Sequence, residues 1–338
     1  KAVIEMNYNQ ITLVTGASGF IGSHIVRALA AQQVAVRAVD LKLPDAASVD
    51  SLKKQGVECV AADLRNPDQF LPLLENVDRI FHVAGICNLT TPYSQLEPIN
   101  VTAVHHLSKI ALEAKTIKRF IHFSSSSVYG LYKGSHFTET SPCKPADDYG
   151  VSKQRGENII KQRISEGLQA TILRPCTVYG PGCNDGAGKV FSRPSNIPGI
   201  PGSGRQKLAN VRVEDVVGAA IYLSKQKEAI GQIYNIADNS HPELEQALVL
   251  AAQTFQTNIK RIHVPLALLK VVARLEGIIA KLKRKIPDLE YEAIKYLYSD
   301  YIVDNTKLKQ TGYQLQYPDF ETSLLEIGKL IKRESTNK

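Results

Sequence analysis

Two clusters in this chain have residue types and spacing suited to chemistry. The first is Gly16-Ala17-Ser18-Gly19-Phe20-Ile21-Gly22, directly after the apolar run Ile11-Thr12-Leu13-Val14. Glycines after a strand let a backbone approach a pyrophosphate, and the N-terminus of the following helix stabilises its charge. The second is Tyr149-Gly150-Val151-Ser152-Lys153. A Tyr and a Lys four residues apart share one face of a helix. There the ammonium is expected to lower the phenol's pKa and make it a usable acid–base group. An ordinary strand–helix turn is the alternative for the glycines, and the Tyr–Lys pair taken alone is a solvated helix face. In this order they imply a redox enzyme.

The elements that must position these groups alternate between strand and helix patterns, as a parallel sheet of βαβ units requires. Ile11–Thr15 is the first predicted strand, Ile21–Gln32 the first helix and Val34–Val39 the second strand, ending at Asp40. Residues 56–60 lead to Asp63, and Arg79–Gly85 is a buried strand closed by small residues. Asn100–Ala114 and Tyr149–Gly167 read as helices, Arg119–Ser124 and Gln169–Arg174 as strands, the latter ending at Pro175. Asp40 is placed to hydrogen-bond the adenosine ribose hydroxyls, and its carboxylate repels a 2′-phosphate, which favours NAD over NADP. Lys42 pulls the other way, and a plain turn residue is the alternative for Asp40.

After Tyr179-Gly180-Pro181-Gly182 a Gly/Pro-rich stretch, 181–204, is long for a connector and reads as a substrate loop. Leu208–Val213 is a short strand leading into a helix at Glu214-Asp215-Val216. The expected organisation is a dinucleotide-binding domain over 9–180, continuing in part through 205–237. The loop 181–204 and a small C-terminal region, 238–335, would bind substrate. Within that region Pro265–Lys285 reads as an amphipathic helix with an apolar stripe of Leu266, Leu269, Val272, Leu275, Ile279 and Leu282. Lys270, Arg274 and Glu276 interrupt it too often for a transmembrane span.

A chain of 338 residues, 43% hydrophobic, can bury one large domain plus an appendage. Its five cysteines form no CxxC pair, so Cys176 and Cys183 are read as reduced thiols. The eight histidines show no HExxH or Cys/His ligand spacing, and no metal is expected. Met6 is the only methionine, a candidate start with Lys1 to Glu5 as an appended extension. No secretory leader is evident, which predicts a cytoplasmic protein. The net charge of +8 peaks between Lys270 and Lys285, around Arg274, Lys281, Lys283 and Arg284, without interleaved aromatics. Nucleic acid is therefore not an expected partner.

The GxxGxxG spacing with Thr15 before it and YxxxK downstream resembles the short-chain dehydrogenase/reductase superfamily. The length suits its extended branch of epimerases, dehydratases and hydroxysteroid-type dehydrogenases. The resemblance runs from about residue 10 to about residue 240. It implies an α/β fold, a Rossmann-type doubly wound parallel sheet with a smaller, mixed C-terminal substrate-binding region. It implies cofactor contacts from Gly16, Ser18, Gly19, Phe20, Ile21, Gly22 and Asp40, and from Asp63-Leu64 beside adenine. Val83-Ala84-Gly85 and Pro175 would complete that surface, with His82 a packed histidine. The family's catalytic Ser or Thr lies three residues before the Val of Ser124-Ser125-Ser126-Ser127-Val128, which gives Ser125, with Ser124 the competing choice. Ser125 would hydrogen-bond the substrate oxygen, and Tyr149 would take the proton of a secondary alcohol while its hydride passes to NAD. Lys153 would also hold the nicotinamide ribose, and Asn100 would give structural and proton-relay support.

The branch is read from further stretches. Arg174-Pro175-Cys176-Thr177-Val178-Tyr179-Gly180-Pro181 is similar to the RxxxxYGP segment. Asn210–Val216 is similar to the HVxDV segment, with Arg212 where His is usual. Nucleotide-sugar enzymes usually carry Asn where this chain has Thr177. Sugar 4,6-dehydratases place Asp-Glu where it has Ser126 and Ser127. The remaining resemblance is to the 3β-hydroxysteroid dehydrogenase-like group, which implies a sterol-like or other apolar small-molecule substrate. Nucleotide-sugar epimerisation with tightly bound NAD is the alternative, and a reductase differs only in direction. A non-catalytic NAD-binding protein is disfavoured because Tyr149 and Lys153 are both present. The resemblance also implies a homodimer through helices at Leu96–Ala114 and Tyr149–Gly167. The helix at 265–285 would rest on an anionic membrane surface, making the protein membrane-associated, or would pack as a lid.

Overall fold

Strands apolar on both faces are stable only between two layers of helices, and this chain builds that sandwich. The computed structural model describes residues 10–131, 135–184, 188–192, 199–282 and 291–336. Parts of two predicted features, 185–187 and 193–198 of the substrate loop and 283–285 of the basic helix, lie outside the described residues, as does residue 9.

The central sheet contains β1 (Ile11–Thr15), β2 (Val36–Asp40), β3 (Val57–Ala61), β4 (Val77–His82), β5 (Arg119–Phe123), β6 (Ala170–Pro175) and β7 (Ile233–Ile236). All its pairings are parallel, in the order β7-β6-β5-β4-β1-β2-β3. The fold is thus the expected Rossmann-type α/β sheet. The order reverses between β1 and β4, and crevices outside the carboxyl ends at such a point take ligands. Thr15 and His82 stand side by side there.

The principal helices are α1 (Phe20–Ala31), α2 (Ala46–Lys54), α3 (Ala103–Ala114), α4 (Asp148–Ser165), α5 (Val213–Leu223), α6 (Leu244–Phe255), α7 (Leu266–Leu282) and α8 (Phe320–Thr336). Alternation along β1 sends Val14 into one core with Ile25 and Leu29 of α1 and Val216 of α5. Leu13 goes into the other, with Leu107 of α3 and Ile160 of α4. Helix α1 buries Gly22, Ile25, Val26, Leu29 and Ala30, the i, i+3, i+4, i+7, i+8 spacing of a one-sided helix. A third cluster joins α6 and α8 through Leu244, Leu248, Phe320 and Leu324. Tyr301–Val303 pairs in parallel with residues 135–137 as a separate two-stranded sheet.

Helix α7 does not pack its apolar stripe as a lid, one of its two expected placements. Among its described side chains only Ala273 and Ala280 are buried, on the side that meets the short helix Tyr291–Lys295. These small residues lie a heptad apart, so they define the contact line and rotate the larger side chains off it. Of the predicted stripe, Leu266 and Leu269 are half-buried, whereas Val272, Leu275, Ile279 and Leu282 are exposed. Among the described residues no helix is long and apolar enough to cross a membrane.

Candidate active site

The turn after β1 brings the backbone close to the loop after β4. Gly16 has φ +67°, and a Cβ there would lie 2.7 Å from both N and Cα of Ala84. At Gly22 a Cβ would stand 2.0 Å from the carbonyl oxygen of Gly16, so α1 can begin at this turn only with glycine. The Thr15 hydroxyl accepts from Ala84 N–H (3.3 Å) and shares a hydrogen bond with His82 Nδ1 (2.8 Å). Burial holds His82 near pKa about 3, so its ring is neutral. Gly19 caps α1 without a side-chain hydrogen bond, and no acid lies in the first turn. Such a helix start favours a phosphate.

Asp40 ends β2 at the same edge. Its carboxylate accepts from Ser18 N–H (2.9 Å) and Leu41 N–H (2.7 Å). The Ser18 hydroxyl donates to the carbonyl of Lys42 (2.8 Å), so that lysine's backbone belongs to the turn. Phe20 and Ile21 open α1, half-buried. Asp63 is held by Arg65 through a short side-chain pair, which lowers its pKa. Leu64 is buried with Val39 and Phe70. Val83 and Ala84 are half-buried, Gly85 is exposed, and Pro175 closes β6 beside Ile236.

The catalytic candidates converge from four elements. Ser125 follows β5 and caps the short helix Ser126–Tyr129, its Oγ accepting from Ser127 N–H (3.1 Å). Ser124 instead turns inward, buried toward Glu157. On the first turns of α4 the Tyr149 hydroxyl faces the side chains of Ser125 and Cys87. Lys153, one turn on and buried, donates from Nζ to the carbonyl of Phe123 (2.7 Å). Asn100 sits in a π-turn, Pro98–Thr102, and is buried. Its Oδ1 accepts from Ile86 N–H (2.9 Å), and its Nδ2 donates to Ile86 O (3.0 Å) and Ser152 Oγ (2.9 Å). Asn100 therefore clamps the loop after β4 onto α4, and a Cβ on Gly85 would press on both Asn100 Oδ1 and Lys153 Nζ.

One expectation is corrected. The Tyr149 phenol is pushed well above its ordinary pKa, first by burial and then by the Cys87 thiol. Lys153 itself is lowered to about 8 by burial. An ammonium that is costly to bury and is aimed at a carbonyl does not by itself draw the phenol down.

Three contributors escaped the sequence reading. Cys87 lies two residues past Gly85, in a turn read only for its small residues. Asp147 caps α4, its carboxylate accepting from Gly150 N–H (2.7 Å) and from Tyr296 Oη (2.6 Å). Tyr301 Oη donates to the carbonyl of Ser126 (2.6 Å). Beneath the site, Arg174 and Glu157 form a buried two-pronged pair, with Nε–Oε1 and Nη2–Oε2 both 2.7 Å. Burial opposes the Glu157 charge, yet the guanidinium outweighs it and lowers its pKa. Arg212, standing where His is usual, pairs with Glu214 and lies 3.6 Å over the Tyr317 ring, so its work is to fasten the C-terminal region.

A profile of the NAD dependent epimerase/dehydratase family matches residues 12–237. Sterol demethylase protein B of Methylococcus capsulatus is 34% identical over 175 residues, 50% of this chain and 52% of that protein. dTDP-D-glucose 4,6-dehydratase of Homo sapiens is 29% identical over 245 residues, 67% of this chain and 69% of that protein. UDP-glucuronic acid 4-epimerase from Bacillus cereus, solved with UDP-glucuronic acid and NAD, superposes with TM-score 0.74 at 23% identity. That match covers 96% of this chain and 99% of the other, a likeness of fold.

Proposed function

This chain belongs to the NAD dependent epimerase/dehydratase family, whose members are NAD-dependent enzymes, and we propose that it oxidises a secondary alcohol on an apolar, sterol-like substrate. The residues fit NAD. The close approach at Gly16, the uncapped start of α1 and the carboxylate of Asp40 suit a pyrophosphate followed by an unphosphorylated ribose. Phe20, Ile21, Asp63, Val83, Ala84 and Pro175 line the rest of that surface in this reading. NAD, when bound, accepts the hydride from the carbinol carbon.

Tyr149 is placed to take the hydroxyl proton of the substrate as a phenolate, a form that the positive charge of bound NAD would favour. Ser125 orients the same oxygen and stabilises charge as it develops there. Lys153 supplies a cation one helical turn away, and Asn100 positions the loop against which the substrate rests.

The observation that carries the substrate reading is that the side chains meeting the Tyr149 hydroxyl are a serine and a thiol rather than carboxylates. Asp147, the acid close to it, is spent on Gly150 and Tyr296. Sugar dehydration needs an acid and a base beside the tyrosine, and the positions after Ser125 are Ser126 and Ser127. The likeness to sterol demethylase protein B supports the same reading. The second reading, epimerisation of a nucleotide sugar with NAD retained, is favoured by the UDP-glucuronic acid 4-epimerase likeness. A homodimer through α3 and α4, which pack side by side, accompanies either reading, as does a cytoplasmic location.

The test is NADH formation by the purified protein with NAD and a panel of sterols and simpler apolar alcohols, beside UDP-sugars scored for interconversion. NADH from an apolar alcohol supports the dehydrogenase, and sugar interconversion without net NADH replaces it with the epimerase. Tyr149→Phe should lose about 10²- to 10⁴-fold in turnover while NAD affinity holds. Equal loss of both would remove Tyr149 from the chemistry.

A further inference from the structure

Helix α7 carries an apolar face that the described protein leaves uncovered. Leu268, Val271, Val272, Leu275, Ile278, Ile279 and Leu282 are each 44–80% exposed. At the helical repeat they fall within an arc of about 120° along one side. The opposite side is seated by Ala273 and Ala280. Arg274 borders the apolar arc, half-buried Lys270 lies further round the same side, and the exposed Lys260 and Arg261 precede the helix. Glu276 is the single acid in the Leu266–Leu282 sequence.

We propose that this face is a peripheral docking surface for an anionic lipid bilayer, with α7 lying in the plane of the membrane interface. An amphipathic helix holds such a surface by burying its apolar side to the depth of the headgroups while flanking lysines and arginines meet lipid phosphates. Both cations lie against tyrosines. Lys270 Nζ sits 4.4 Å from the Tyr298 ring centroid, and Arg274 donates to Tyr291 Oη (3.0 Å). Aromatic rings with a polar tip suit the same interfacial depth. A second copy of the chain is the poorer occupant, because two such faces brought together set Lys270 and Arg274 of each against their own kind.

The surface also connects to the site. Helix α7 packs on Tyr291–Lys295, and the next residues include Tyr296, whose hydroxyl holds the Asp147 cap of the helix that carries Tyr149. A bilayer is where an apolar alcohol concentrates, so the inference deepens the substrate reading above and rests on it for its purpose, though not for its geometry.

The test is flotation of the full chain with vesicles of phosphatidylcholine alone and of equal parts phosphatidylcholine and phosphatidylglycerol. The protein should float with the mixed vesicles and stay behind with the neutral ones, and salt should weaken the association. Leu275→Glu/Ile279→Glu, a change of two exposed side chains, should abolish flotation while the far-ultraviolet circular dichroism is kept. Lys270→Glu should weaken the partition by about fivefold or more, the share of one basic residue near an anionic surface. Failure of the wild type to float with the mixed vesicles overturns the proposal, as does flotation of the double variant equal to wild type. A wild-type dimer that the double variant converts to monomer, with no flotation of either, replaces the bilayer by a second copy. Flotation with no turnover of any apolar alcohol would sink the substrate reading and leave the docking surface standing.

Discussion

Replacing Lys153 by methionine should make the protein less sensitive to alkaline stabilisation, in a pH window set by the lysine itself. Burial lowers the Lys153 pKa from its ordinary 10.5 to about 8. Below pH 8 both folded and unfolded chains hold the proton, and the folded state bears the whole cost of burying the ammonium. Between pH 8 and 10.5 the unfolded chain holds more protons than the folded one, so stability rises with pH. At about 1.4 kcal/mol per pH unit the total is about 3 kcal/mol, of which about 2 to 3 kcal/mol is recovered between pH 7 and pH 10. Lys153→Met removes that cost but leaves the Phe123 carbonyl without its 2.7 Å donor. A lost charged hydrogen bond is worth about 1.5 to 3 kcal/mol, so the net change at pH 7 is small. The diagnostic is therefore the slope. Urea unfolding of wild type and variant at several pH values from 7 to 10 should give a difference that grows in favour of wild type by about 2 to 3 kcal/mol. Other titrating groups are common to both chains and cancel. A difference flat across that range, or one of opposite slope, would refute the buried-cation argument.

Arg174→Met should destabilise the fold by about 2 to 4 kcal/mol, because it leaves the buried Glu157 carboxylate with only the half-exposed Lys161, 3.2 Å away; urea midpoints measure this, and a loss under about 1 kcal/mol would show that Lys161 and water already neutralise the carboxylate. Iodoacetamide should inactivate the native enzyme through Cys87, the exposed thiol at the Tyr149 hydroxyl. Cys87→Ala should then resist it, and inactivation of that variant at the wild-type rate would place the reactive thiol elsewhere.

Local patterns made much of the sheet legible. The run Ile11-Thr12-Leu13-Val14, apolar before a glycine turn, is a strand buried on both faces, and β1 is buried at every residue. Helix limits moved by a residue or two, as with α4, expected at Tyr149–Gly167 and found at Asp148–Ser165, because Asp147 is the cap. The start of α3 moved further, since Pro98–Thr102 forms a π-turn that swings Asn100 into the core, and no periodicity announces such a turn. The site was legible where its members share a motif, as Tyr149 and Lys153 do. It was not where partners come from distant segments. Nothing near Tyr296 or Tyr301 in sequence announces a contact with Asp147 or Ser126. Which side of α7 packs was not legible for a related reason. Its apolar period is real, but the two alanines that choose the contact side count little in hydropathy.

Those two tyrosines also set an order of events during synthesis. A nascent chain leaves the ribosome amino end first, and domains fold as their residues emerge. The glycine turn, all seven strands of the sheet, Tyr149 and Lys153 are released before Tyr296 and Tyr301. A growing chain thus passes through a stage with its dinucleotide crevice formed while Asp147 and the Ser126 carbonyl still lack their tyrosine donors. The crevice at the glycine turn thus forms before the contacts around Asp147 and Ser126 are complete, an interval that closes only when residue 301 has emerged and paired beside residue 135.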